Sequence, residues 1–128
     1  AYNMSFEKGV IKNLADTFPD LHDHLMCIHD NIKDLEVPFS KRYYYTRAMQ
    51  GKSTIKMVLP AVCPGDPELD YHSLDGIHNG GEAMYAYPAM KEKTPEEIEV
   101  IRKQLLAYCR LDTLAMVKVL EKLYKAVE

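Results

Sequence analysis

The chain has 128 residues, 47% of them hydrophobic and 27% charged, with a formal net charge of −3 at pH 7. These values fit one globular domain and exclude a disordered tail, a collagen-like repeat and a disulfide miniprotein. No stretch approaches the ~20 apolar residues of a membrane-spanning helix, and no global basic field advertises nucleic acid. Cys27, Cys63 and Cys109 cannot all pair and match no metal knuckle, which points to a reducing cytoplasm. The start, Ala1-Tyr2-Asn3 without a Met, reads as cut rather than begun, so a fragment is expected.

The first element reads as a helix, because Phe6, Val10, Ile11 and Leu14 recur at helical spacing and Asn3 or Ser5 can cap it. Pro19 pre-sets a second helix, whose apolar stripe is Leu21, Leu25, Ile28 and Ile32. Asp34 to Phe39, broken by Pro38, reads as a short strand or a turn. Tyr43-Tyr44-Tyr45-Thr46 has β-type composition. Ser53 to Leu59 predicts a short helix with Ser53 as cap and Pro60 opposing continuation. Residues 63–81, punctuated by two prolines and four glycines, predict a long loop with one turn of structure, of the kind that is functional or wraps a partner. Ala83 to Met90 predicts a short helix. Thr94-Pro95-Glu96-Glu97 is a helix start with Thr as cap and Glu three residues on, and its helix runs to the C-terminus with a break near Leu106.

Within that last helix, Leu105, Cys109, Asp112, Met116, Val119 and Leu123 share one face. Asp112 is the lone carboxylate among them, and burying an acid is costly unless it is paired or coordinates a metal. The alternative is that Asp112 lies at a helix break and caps the next turn. Tyr108 sits one turn earlier. Glu7 repeats the anomaly beside Phe6, Val10 and Ile11; the alternative there is an exposed first-turn acid favoured by the helix dipole. Two acids leaning toward a core make a shared site for a hard divalent cation worth considering. His22, His24 and His29 read as a solvated face, and His72 or His78 as a possible substrate contact. Tyr43, Tyr44 and Tyr45 either stack bases or pack against a neighbouring element. From Lys41 to Lys56 the chain carries Lys41, Arg42, Arg47, Lys52 and Lys56 and no acid, a candidate for phosphate contact.

Taken together, these residues resemble the DEDD-type 3′–5′ exonucleases. Tyr2-Asn3-Met4-Ser5-Phe6-Glu7 is similar to their second motif, Tyr108-Cys109-Arg110-Leu111-Asp112 to the third motif in its Tyr form, and Gly51 to Pro60 to the helix between them. The whole chain also resembles the C-terminal part of a bacterial family catalogued only as a domain of unknown function. The resemblance implies an α/β ribonuclease H-like fold, here truncated and mostly helical with one or two short strands. It implies a two-metal phosphodiesterase centre using Mg²⁺ or Mn²⁺. In it Asp112 and Glu7 would ligate metal, Tyr108 would orient water or contact the scissile phosphate, and Asn3, Arg42, Arg47, Lys52 and Lys56 would contact nucleic acid. The motifs fall at 2–7 and 108–112 of a single domain or domain fragment, 1–128.

Two departures qualify this. Glu7 stands where the second motif has Asp, and the first motif, an Asp-x-Glu on an upstream strand, is absent. The Asp-x-Glu matches present, Asp34-Leu35-Glu36 and Asp66-Pro67-Glu68, follow the second motif. The expectation is a fragment that binds metal weakly and has little or no nuclease activity alone. It is also expected to self-associate through exposed apolar helix faces and to have no membrane partner. The competing readings are a non-catalytic binding module on the same fold and an independent helical interaction domain.

Overall fold

A computed structural model describes residues 1–128. The chain is helical throughout, with six α-helices joined by short 3₁₀ turns, and no strand forms. It divides into two compact units, Ala1–Val58 and Leu59–Glu128.

In the first unit α1 (Ser5–Thr17) packs on α2 (His22–Asn31). Pro19 opens the 3₁₀ turn Pro19–Leu21 between them, where its fixed φ and missing N–H suit a first helical position. Neither Asn3 nor Ser5 caps α1. The cap residue is Met4, which offers no side-chain bond, and the Asp34 carboxylate from outside the helix accepts from Asn3 N at 2.9 Å and Met4 N at 3.1 Å. The 34–39 segment is a turn running into the short helix α3 (Val37–Ser40), with Phe39 buried. The tyrosine run is bend and coil.

Helix α4 (Ile55–Val62) runs past Pro60. Proline inside a helix loses one backbone hydrogen bond and costs about 3 kcal/mol. The burial of Val58, Leu59 and Val62, at roughly 1.5–3 kcal/mol per large aliphatic side chain, outweighs that. The second unit continues with two 3₁₀ turns, Pro67–Leu69 and Tyr71–Ser73, then α5 (Gly80–Ala89) and α6 (Pro95–Lys125).

Helix α6 begins as its sequence dictates. Thr94 Oγ1 accepts from Glu97 N at 3.3 Å, and the Glu97 carboxylate accepts from Thr94 N at 2.9 Å. It then continues for 31 residues with no break near Leu106. Its buried row is Leu111, Ala115 and Val119, so the helix turns a different edge inward from the one its hydropathy predicts. Val119 belongs to both rows, while Cys109 is exposed.

The expected α/β ribonuclease H-like fold with one or two short strands is overturned by this all-helical architecture. A strand needs a partner for its backbone groups. In the β-type stretch Tyr43–Thr46 no such ladder forms; Tyr44 N instead donates to Pro38 O at 3.0 Å, and the chain passes into the 3₁₀ turn Arg47–Met49.

Candidate functional site

Tyr108 and Asp112 lie one turn apart on α6, and Gln104 stands one turn before Tyr108, forming a polar row. The segment before α5 lies against this row. Tyr71, only 7% exposed, donates its hydroxyl to Asp112 Oδ1 at 2.8 Å. Its ring also meets that of Tyr108, with centroids 6.2 Å apart. Gly76, at φ +80°, lies so close to Gln104 that a Cβ would collide with the Gln104 amide, and a Cβ at Gly80 would stand 3.6 Å from the Tyr108 hydroxyl.

Local sequence puts Tyr71 there. Asp66 accepts from Glu68 N at 3.1 Å and Asp70 from His72 N at 2.9 Å, two Asx turns that start the successive 3₁₀ turns. Leu69 and Tyr71 are buried as a result, and Tyr71 reaches α6.

Desolvation, followed by the hydrogen bond and charge of Asp112, pushes the Tyr71 hydroxyl well above its ordinary range. Burial and Asp112 push Tyr108 in the same direction. Both phenols therefore stay protonated at neutral pH and act as donors. Tyr71 donates to Asp112, while Tyr108 makes no hydrogen bond within the chain. The Asp112 carboxylate thus has one oxygen held and the other unengaged, with a donor hydroxyl a turn away. That arrangement can bind a cation or polarised water and donate to an anionic oxygen nearby. The alternative role of Asp112, capping at a helix break, does not occur, because α6 is continuous.

The second-motif residues lie in the first unit. Asn3 adopts a left-handed conformation, φ 61°, between Asp34 and α1. Glu7 is in the first turn of α1, half-buried, and its Oε2 is buried without a hydrogen-bond partner. A buried carboxylate oxygen without a donor is expensive. Tyr2 donates to Ser53 O, stacks on Phe39 and is pushed above its usual range by burial and by Glu36 and Asp34. Ser53 donates to Glu36 at 2.7 Å.

The basic stretch is exposed: Arg42 (φ 58°) follows α3, Arg47 lies in the turn Arg47–Met49, and Lys52 and Lys56 flank the start of α4. Of the tyrosines, Tyr44 packs edge-on against Phe39 with centroids at 5.8 Å, Tyr45 accepts from Gly51 N at 3.1 Å, and Tyr43 is 77% exposed. His29 pairs with Asp30 at 2.8 Å and His78 with Glu82 at 3.5 Å.

No group of three or more His, Cys, Asp or Glu that could hold a metal ion forms. Both Asp-x-Glu sequences are spent on turns, Asp34 at Asn3, Met4 and Glu36 and Asp66 at Glu68. Asp112 fits a divalent cation in the limited sense that Mg²⁺ keeps its waters and takes one or two carboxylates together with substrate phosphates. Sequence reasoning missed Tyr71; the Asp-x-x turn signals at Asp66 and Asp70 were the available cue, but not the contact with α6.

A family model described as Domain of unknown function (DUF2779) matches residues 1–54. The matched segment is closed on itself by the Tyr2–Ser53 hydrogen bond. No curated protein and no solved structure matches the chain. No helix is long and apolar enough to cross a membrane, and the three cysteines are unpaired.

Proposed function

We propose that the Tyr108–Asp112 turn belongs to a metal-dependent centre that hydrolyses phosphodiester bonds in nucleic acid, as its resemblance to DEDD-type exonuclease motifs implies. The observation that carries this reading is the Asp112 carboxylate. It sits in mid-helix with one oxygen held by Tyr71 and the other open, beside an unengaged Tyr108 hydroxyl. Asp112 would hold Mg²⁺ or Mn²⁺, which when bound supplies water activation and charge stabilisation. Tyr108, kept protonated by burial, donates to the attacking water or to a phosphate oxygen. Asn3, Arg42, Arg47, Lys52 and Lys56 supply backbone-phosphate contacts, which need positive charge but no sequence readout.

Activity is proposed for a longer, bacterial, cytoplasmic protein that also provides an Asp-x-Glu pair, because both such pairs here are committed to turns. That commitment also favours a second reading, a non-catalytic module that binds nucleic acid or protein. The test uses end-labelled single-stranded DNA and RNA with Mn²⁺. This chain alone is expected to leave both intact, and the longer protein to shorten one of them, with loss of cleavage in Asp112→Asn. A longer protein that binds the strands but never cuts them supports the binding module. Cleavage unchanged in Asp112→Asn removes Asp112 from the chemistry.

A further inference from the structure

We propose that the segment from Lys41 to Lys52 binds single-stranded nucleic acid, with the Tyr43 ring as the surface on which one base stacks. The inference rests on the nucleic-acid reading above and names the form of the strand; it needs nothing from Asp112. The three consecutive tyrosines have different surroundings. Tyr44 N donates to Pro38 O at 3.0 Å, and the Tyr44 ring packs edge-on against buried Phe39. Tyr45 is 50% exposed, with its hydroxyl accepting from Gly51 N at 3.1 Å. Tyr43 is 77% exposed and has no ring contact or hydrogen bond within the chain. A ring left in water in this way contributes nothing to the core.

The backbone places Tyr43 outside. Arg42, at φ 58°, closes α3 with its N–H on Phe39 O at 3.0 Å. Glycine is the usual residue at such a left-handed helix end, yet an arginine stands here. The chain reverses at Arg42, so that Tyr44 returns to Phe39 while Tyr43 faces away. The charge around it has one sign. Lys41, Arg42, Arg47 and Lys52 are exposed and have no partner within the chain. The Tyr45–Gly51 hydrogen bond closes the intervening loop and brings Lys52 beside Tyr45. The preceding acids are already engaged, Asp34 by three backbone N–H groups and Glu36 by Ser53 Oγ at 2.7 Å. Unpaired cations follow a phosphate backbone, and an aromatic face stacks a base of any identity. A duplex hides its base faces and is read by a helix or ribbon in its groove. This segment is bend and 3₁₀ turn and supplies neither.

The test is fluorescence anisotropy of this chain at low salt, without divalent metal. The labelled probes are a short oligothymidine strand, an abasic strand of the same length and a matching duplex, with polyglutamate as competitor. Oligothymidine should bind about tenfold more tightly than the abasic strand, the value of one stacked base. Tyr43→Ala should abolish that difference and leave abasic binding unchanged, whereas Tyr85→Ala, at a tyrosine 79% exposed on α5, should alter neither. Arg42→Gln and Arg47→Gln should weaken both strands and each reduce the salt slope by about 0.7. Equal binding of the two strands, or a preference for bases that survives Tyr43→Ala, overturns the role of Tyr43 and leaves the phosphate contacts standing. Tighter binding of the duplex overturns the preference for single strands. Displacement by polyglutamate as effective as by unlabelled strand marks a surface for acidic protein and overturns the proposal. No binding of any strand overturns both this proposal and the phosphate contacts. Cleavage by the longer protein tests Asp112 separately.

Discussion

Replacing Asp34 with alanine should loosen the first unit more than any other exposed or half-exposed polar substitution there. One carboxylate accepts three backbone N–H groups, from Asn3 at 2.9 Å, Met4 at 3.1 Å and Glu36 at 2.9 Å. Two of these bonds cross from the 33–36 turn to the start of α1, parallel to the Leu35 N to Ala1 O bond at 2.9 Å. Water reaches the freed donors, so each bond counts at about 1 kcal/mol rather than the higher value for a buried charge. Asp34→Ala should therefore cost about 3 kcal/mol. With a urea slope of about 2 kcal/mol/M, the midpoint falls by ~1.5 M. Asp34→Asn separates the contributions. It keeps the Oδ1 acceptor for Asn3 and Glu36 but turns an amide N–H₂ toward Met4 N, so it should cost about 1 kcal/mol. Burial raises the Asp34 carboxyl, yet the three N–H donors prevail and its pKa is lowered. A lowered folded-state pKa gives stability that is present above the ordinary carboxylate range and is lost as pH falls below about 4. Urea unfolding followed by far-UV circular dichroism, with amide exchange at Leu35 and Met4, reads all three effects. Equal midpoints for the unmodified chain and Asp34→Ala, or equal costs for the Ala and Asn variants, would refute this account.

Three further outcomes are expected. Gly76→Ala should destabilise the second unit by about 1–3 kcal/mol, because it combines a positive φ with a collision on Gln104; adding Gln104→Ala should recover part of the loss in a thermal melt, and no recovery would mean that backbone conformation alone accounts for it. Thr94→Ala should cost about 1 kcal/mol through loss of the capping box. The Glu97 carboxyl, lowered by the Thr94 N–H and by Lys93, adds a contribution that is lost as pH falls below about 4; because alanine keeps the backbone N–H at position 94, the unmodified chain and Thr94→Ala should lose it alike and their difference should persist in acid. Phe6, Val10 and Leu14 form an apolar row on α1 that is 66%, 43% and 41% exposed. The chain should therefore self-associate in light scattering as concentration rises, and Phe6→Ser should reduce it; a monomer at high concentration contradicts this.

The helices were largely legible because their cues are local. The Phe6–Leu14 periodicity, the Pro19 start and the Thr94–Glu97 box each act within one turn, and each marks an observed helix. What failed depends on distant partners. The cap of α1 comes from Asp34, some thirty residues away, and nothing near Asn3 announces it. The β-type tyrosines promised strands, but strand formation depends on a neighbour that no local pattern reveals. Pro60 by itself opposes continuation of α4, whereas burial of Val58, Leu59 and Val62 carries the helix past it. At the candidate site, Asp112 stood out as a carboxylate in an apolar row. The row's real core edge and the Tyr71 hydroxyl both required the packing of α6.

The two glycines that border the polar row of α6 impose different rules on sequence drift. At Gly80 an added methyl would make ordinary contact with the Tyr108 hydroxyl at 3.6 Å, so alanine is admissible there. At Gly76 the left-handed backbone conformation disfavours any side chain, and the end of the flexible Gln104 side chain would have to move aside as well. In chains that keep this arrangement, position 76 should stay glycine whatever stands at position 104, whereas position 80 should wander between small residues. The signature of the arrangement would then be one invariant glycine rather than a motif, visible in a set of related sequences even where the tyrosines themselves have changed.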